Sequence, residues 1–146
     1  MDADLWQKLR GLPPSAQRAL LHEILRRDPW LLLTGCLYPG RRFEPFHREW
    51  LRLAEREPRA LILAPRGFFK TTAVTVGLLA HRALFFPDGA YLVASETARQ
   101  ARLILAELGC VLAREEVAWL FAGSPVLRTT DDAIFLKRGA RRKEPT

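Results

Sequence analysis

The residues best suited to chemistry lie in one short segment, residues 64–72, with the sequence APRGFFKTT. Its Lys70-Thr71 pair matches the end of the phosphate-binding consensus G-x-x-x-x-G-K-[ST]. In that consensus the lysine contacts the β- and γ-phosphates and the hydroxyl binds Mg²⁺. Gly67 can supply the positive φ that a backbone wrapped around phosphate requires. Ala64 and Phe69 stand where the consensus has its two glycines, so the match is partial.

The flanking sequence places this segment between a strand and a helix. Residues 60–64 form a short continuous apolar run between turn signals, which is typical of a strand buried on both faces. An apolar helix is predicted over residues 71–86. This order puts a helix N-terminus beside the loop, where backbone N–H groups and the helix dipole favour phosphate. The alternative is an ordinary strand-to-helix turn with an exposed lysine.

The rest of the chain predicts further helices and strands. Amphipathic patterns and stop signals predict helices over residues 15–27, 46–57, 97–113 and 115–121. Apolar runs predict two more strands, over residues 90–94 and 133–136. Alternating strands and helices favour an α/β fold with a mostly parallel sheet. Only three strands are visible, so we expect that sheet to be incomplete.

Composition excludes several classes of protein. Hydrophobic residues make up 49% of the 146 residues and charged residues 27%, which argues against a disordered chain. No apolar run approaches the roughly 20 residues of a membrane-spanning helix, and the acidic start does not resemble a signal peptide. Cys36 and Cys110 lie far apart without ligand-type neighbours, which argues against a zinc site or disulfide framework and favours a reduced, intracellular setting.

The chain is strongly basic. Its net charge is +7 and its pI is near 10.2. Five of its last ten residues are Lys or Arg, against one Glu. This balance indicates contact with a polyanion such as nucleic acid, or a solvated basic tail.

Four segments resemble the large terminase subunits of phages, the ATPases that pump DNA into procapsids. LILAPRGFFKTT resembles their divergent Walker A segment, although Phe69 stands where a small residue is usual. YLVASETARQARLIL is similar to their second strand and following helix, and PFHREWL to the Phe-His helix upstream of the loop. DDAIFLKRGARRKEPT resembles the basic segment before their Walker B strand.

The resemblance covers residues 43–146 and implies a fold. That fold is a P-loop NTPase-like three-layer αβα arrangement with a mostly parallel sheet, here incomplete. Residues 43–146 would form part of the ATPase domain, and residues 1–42 a preceding helical region. The family's Walker B strand and nuclease domain would begin beyond Thr146.

The resemblance also implies cofactors and roles for individual residues. The cofactors would be ATP and Mg²⁺, with Lys70 on the β- and γ-phosphates and Thr71 on the metal. Arg66 would stabilise the γ-phosphate within the same subunit, which makes Arg66 and Lys70 the catalytic pair; the alternative for Arg66 is a plain surface cation. His47, beside Phe46 and Arg48, would line the adenine pocket or simply pack as a helix residue. The loop residues implied to contact nucleotide are Pro65, Arg66, Gly67, Phe68, Phe69, Lys70, Thr71 and Thr72.

The implied partners are those of a packaging motor in the host cell cytoplasm. They are double-stranded DNA, the small terminase subunit, the portal protein and further copies of the chain, with no membrane. No apolar strand here ends in the paired carboxylates that phosphoryl transfer to water needs. We therefore expect ATP binding without efficient turnover. Two alternatives remain: another P-loop ATPase of helicase-like type, or a basic nucleic-acid-binding module whose loop is vestigial.

Overall fold

The computed structural model describes residues 11–137, which are mainly helical. The predicted basic tail lies outside the described residues except for Lys137. The helices are α1 (Pro14–Arg27), α2 (Pro29–Leu32), α3 (Pro45–Arg56), α4 (Gly77–Phe85), α5 (Ala98–Leu112) and α6 (Glu115–Leu120). A π-helical segment follows α2 (Leu33–Leu37, the first π segment) and another leads into α4 (Thr71–Val76, the second π segment). Strands β1 (Val126–Thr129) and β2 (Ile134–Leu136) form an antiparallel pair.

The predicted three-layer αβα fold with a mostly parallel sheet is wrong. The structure is 57% helical, and its sheet has only these two antiparallel strands. The predicted strand at residues 133–136 is present as β2, but it pairs with β1 across a tight connection. The predicted helices over residues 15–27, 46–57, 71–86, 97–113 and 115–121 are confirmed, with their ends within one or two residues of the predicted bounds.

The two apolar runs that predicted parallel strands belong to no strand and are unpaired. Residues 60–64 and 90–94 belong to neither strand, and within residues 11–137 no backbone–backbone hydrogen bond joins them to any element. Leu61 and Leu63 are each 80% exposed, and Leu92 is 89% exposed. An apolar run is buried as a strand only if neighbouring strands pair with it and helices cover both faces. The only sheet within residues 11–137 is the pair of β1 and β2, so these runs have no strand partners and the predicted sheet does not form.

The core is built by the helices. Its fully buried members come from α2, the two π segments, α4, α5 and α6, and include Leu32, Leu37, Val76, Ala80, Leu112 and Val117. The residues Asp28 and Pro29 end α1 at Arg27 and start α2 at Pro29. The Asp28 carboxylate accepts from the backbone N–H of Trp30 at 2.9 Å and so caps α2.

The two π segments lie close to one another and border the loop. Gly77, where α4 begins, is fully packed, and a Cβ there would stand 2.9 Å from the Cδ1 atom of Leu33. Five of the six residues in the second π segment are β-branched, which weakens the local preference for a regular α-turn. Packing of α3 and α5 against this segment therefore decides its conformation.

We expect stability to fall in mild acid because of His81, which is 1% exposed on α4. Its Nε2–H donates to the Arg26 carbonyl at 2.9 Å, and within residues 11–137 its buried Nδ1 has no partner. Burial lowers the pKa of His81 below 6.5. The unfolded chain therefore binds the proton first, and the free energy of unfolding should drop as pH falls below about 6.5.

Urea unfolding at pH 7, 6 and 5 measures this effect. The slope from one such histidine is at most about 1.4 kcal/mol per pH unit. His81→Gln removes the titrating group, so its slope should be flatter than that of the wild type. His22, whose pKa burial lowers, and carboxylates such as Glu23 and Glu116, whose pKa values hydrogen bonds to arginine lower, contribute to the slope that remains. An unchanged slope in His81→Gln would contradict the assignment.

The exposed leucines also predict self-association. A row of unpaired backbone groups flanked by apolar side chains is a template for pairing with another chain. Sedimentation at micromolar concentration should show species larger than the monomer. The double variant Leu61→Lys, Leu92→Lys places charge on both runs and should shift the protein toward monomer. A wild-type chain that sediments as a monomer would contradict this expectation.

Candidate nucleotide-phosphate site

The loop before the second π segment is left-handed at Phe69, one of the two glycine positions of the consensus, but not at Ala64, the other. Gly67 has φ +85° and Phe69 has φ +49°, both in the left-handed region. Phe69 stands where the consensus has its second glycine, directly before Lys70. The chain then enters 15 continuous helical residues, because the second π segment runs into α4 without a break. The loop thus ends on the N-terminus of a long helix.

The side chain of Phe69 is directed away from the loop. Its ring lies under the guanidinium of Arg41, whose central carbon is 4.6 Å from the ring centroid. Arg41 also lies 5.5 Å from the Tyr38 ring, so the cation is held between two aromatic rings. At this consensus glycine position, Phe69 therefore adopts a strained left-handed backbone, and its ring packs against Arg41.

The strain at Phe69 predicts a difference between two neighbouring variants. A left-handed φ costs a non-glycine residue about 1–2 kcal/mol. Both Phe69→Gly and Phe68→Gly add chain entropy to the unfolded state and remove an aromatic contact, with Arg41 and with Phe46 respectively, but only Phe69→Gly also relieves this strain. We expect Phe69→Gly to be more stable than Phe68→Gly by about 1–2 kcal/mol in urea unfolding. Equal destabilisation of the two variants would contradict the left-handed assignment.

His47 anchors the loop to helix α3. It is 3% exposed, and its Nδ1 accepts from the backbone N–H of Glu44 at 2.9 Å. An Nδ1 that accepts carries no proton, so Nε2 is the donor, and it bonds the Phe68 carbonyl at 2.9 Å. The ring also packs against Phe43, Phe46 and Trp50. Both ring nitrogens are thus engaged within the protein, and contact between His47 and adenine stays a prediction.

Positive charge surrounds the loop. Arg66 is exposed, Lys70 is half-buried, and Arg41 lies beside Phe69. Among residues 11–137, no carboxylate forms a salt bridge with any of these three cations. Uncompensated cations beside a helix N-terminus favour an anion. The Thr71 hydroxyl, the predicted Mg²⁺ ligand, belongs to an exposed residue in the first turn.

A carboxylate that the sequence reasoning missed lies next to this first turn. Glu107 on α5 accepts from the Thr72 hydroxyl at 3.2 Å and from the Tyr38 hydroxyl at 2.5 Å. Burial first, and then the bond to Glu107, raise the pKa of Tyr38, so the phenol remains a donor. The available signal was a lone acidic residue in the otherwise apolar stretch of residues 103–112.

Other candidate groups lie apart from the loop or act structurally. Asp132, in the connection between β1 and β2, pairs with Arg102 at 2.8 Å, which separates it from any role at Lys70. Thr97 caps α5 by accepting from the N–H of Gln100 at 3.3 Å, while Ser95 bonds the Gln100 side chain. Arg48 contacts Asp28 at 3.4 Å. Of the residues predicted near adenine, Phe46 alone has its ring close to a loop side chain, that of Phe68.

The described residues hold no preformed metal cluster. Within residues 11–137, no three His, Cys, Asp or Glu side chains are grouped as metal ligands, so Thr71 would have to share Mg²⁺ with phosphate oxygens and water. An open groove lies between the end of α3, α4 and Tyr91, on residues other than the loop. No helix of the described residues is long and apolar enough to span a membrane.

No family model, curated protein or solved structure matches the chain.

Proposed function

We propose that residues 64–72 bind the phosphates of a nucleotide, with ATP and Mg²⁺ as the cofactors. One observation carries this proposal: the chain has glycine-like φ values at both Gly67 and Phe69, directly before Lys70 and a 15-residue helical run. Ala122, just after α6, is also left-handed with φ +54°, so the proposal rests on the coincidence of strain at Phe69 with Lys70-Thr71 and the start of a helical run. A loop that must direct its N–H groups inward has a reason to hold such strain.

The residues of the loop would have distinct roles in binding the nucleotide. Lys70 would neutralise the β- and γ-phosphates as a point charge, and Thr71 would provide one oxygen to Mg²⁺. Arg66, exposed in the loop, would reach the γ-phosphate with its guanidinium fork. Pro65, Gly67, Phe68 and Thr72 would contribute through the shape of the backbone.

The wider role that we propose is the ATP-binding part of a DNA-packaging motor. It rests on the resemblance of residues 43–146 to large terminase subunits. Double-stranded DNA, a small terminase subunit, a portal protein and other copies of the chain would then be the partners, in the host cytoplasm. Because, among residues 11–137, Glu107 is the one carboxylate hydrogen-bonded to the start of the helical run, we expect binding with little turnover.

A titration with ATP, ADP and AMP in the presence of Mg²⁺ tests the phosphate assignment. Contacts to the β- and γ-phosphates predict that ATP and ADP bind and that AMP binds at least roughly tenfold more weakly, a difference of about 1.4 kcal/mol. Equal affinity for AMP and ATP would mean that recognition lies in the base or sugar. No binding of any of the three would contradict the proposal.

A second candidate function follows from the net charge of +7. A basic nucleic-acid-binding module with a vestigial loop would bind DNA weakly and lose affinity steeply with salt. Measuring both DNA binding and ATP binding distinguishes the two candidates. DNA binding without ATP binding favours the nucleic-acid-binding module. ATP binding that depends on Lys70 favours the nucleotide site.

A further inference from the structure

We infer that Glu107 is a positioning residue of the phosphate loop: its carboxylate fixes the first helical turn, and thereby the placement of Lys70 and Thr71. This inference rests on the proposed function, since the turn matters only if Lys70 and Thr71 meet phosphate. Glu107 lies on α5, more than 30 residues beyond the loop in sequence. It would act through Thr72 rather than by touching the nucleotide.

The geometry places one oxygen of Glu107 between two hydroxyl donors. Its Oε1 accepts from Thr72, in the second π segment, and from Tyr38, which directly follows the first π segment. A single side chain therefore ties together the ends of two irregular helical segments.

The hydrogen bond that Thr72 donates to Glu107 would stabilise the second π segment, which has few other local reasons to hold its conformation. Its β-branched residues have little preference for a regular α-turn, and its start is held on the loop side by the strained Phe69. Single π turns inside helices occur frequently at functional sites. Without Glu107, the Thr72 hydroxyl loses its acceptor, and the turn that carries Thr71 is free to relax toward other conformations.

The chain offers variants that separate hydrogen bonding from charge. Glu107→Gln keeps an oxygen that can accept from both hydroxyls, whereas Glu107→Ala removes it. Thr72→Val removes the hydroxyl at nearly constant shape, and Thr72→Ser keeps it. Glu96→Ala, an exposed glutamate before α5, is the matched control for loss of one negative charge.

Two measurements are made on each variant: Mg-ATP affinity by titration, and amide hydrogen exchange over residues 71–76. We expect Glu107→Ala and Thr72→Val each to weaken Mg-ATP about tenfold, about 1.4 kcal/mol, and to speed exchange in the turn. Their double variant should be no weaker than the weaker single one, since both remove the same bond. Glu107→Gln and Thr72→Ser, which keep the bonding oxygens, should weaken Mg-ATP less than Glu107→Ala and Thr72→Val do, and Glu96→Ala should stay within a few-fold of the wild type.

The outcomes distinguish this inference from the proposed function. A wild type that binds Mg-ATP, with Glu107→Ala unchanged in both affinity and exchange, overturns the positioning role alone. Glu107→Gln as weak as Glu107→Ala also overturns it and assigns the effect to charge near Mg²⁺. If the wild type binds no nucleotide, the proposed function fails. Even then, faster exchange in Glu107→Ala but not in Glu107→Gln would show that the Glu107 side chain fixes the turn, and unchanged exchange in Glu107→Ala would show that it does not.

Discussion

Lys70→Ala should abolish the stabilisation of this protein by Mg-ATP. A ligand at a hundredfold excess over its Kd stabilises the folded state by about 2.7 kcal/mol. For a chain of this size, that corresponds to a rise in Tm of about 5–10 °C. Lys70 lies at the start of the helical run and carries the charge closest in sequence to the strained Phe69. Its removal leaves the phosphates without their principal cation.

Lys137→Ala is the matched control, because it removes the same charge from an exposed residue after β2. Its melting temperature should rise with Mg-ATP as much as that of the wild type. Thermal melting of the three proteins with and without nucleotide is the measurement. If Lys70→Ala is stabilised as strongly as Lys137→Ala, the phosphate does not lie at Lys70.

His47→Ala should destabilise the protein strongly even when no nucleotide is present. The substitution removes a buried ring packed among three aromatic residues and breaks its bonds to the Glu44 N–H and the Phe68 carbonyl. Each lost hydrogen bond contributes about 1 kcal/mol, and the truncated ring leaves a cavity, so we expect a loss of about 2–4 kcal/mol in the free energy of unfolding.

His22→Ala is the control for His47→Ala. The His22 ring packs edge-on against Phe85 and Phe121, but within residues 11–137 it forms no hydrogen bond. Urea unfolding should therefore show a clearly smaller loss for His22→Ala. A His47→Ala variant that is no less stable than His22→Ala would remove the anchoring role, and would leave nucleotide contact as the main reason for a histidine at this position.

The sequence predicted local structure well and the sheet poorly, for a physical reason. Helices such as α1 and α3 carry their own signals in apolar spacing and in the Pro residues at their starts. A buried strand is identified only through partners that the pattern itself does not contain. Residues 60–64 read as buried, yet Leu61 and Leu63 face solvent because residues 11–137 provide no strand to pair with them.

The candidate site divides in the same way. The loop, Lys70 and Thr71 could be located from spacing alone, and the structure adds the positive φ at Phe69. The anchoring of Phe68 by His47 and the bonds of Glu107 could not be predicted, since they join residues 21 and 35 positions apart in the chain. Contacts of that kind depend on which helices pack together, and apolar periodicity marks the buried face of a helix without identifying its neighbour.

Backbone amide chemical shifts measured during a Mg-ATP titration test the central claim most directly. The proposal places the phosphates against the N–H groups of the loop and the first helical turn, so the largest shift changes should fall within residues 66–72 and saturate with ATP. They should be absent in Lys70→Ala. Saturating shifts concentrated instead in the groove lined by Glu57, Arg82 and Tyr91, or no shifts at all, would contradict a phosphate site at this loop.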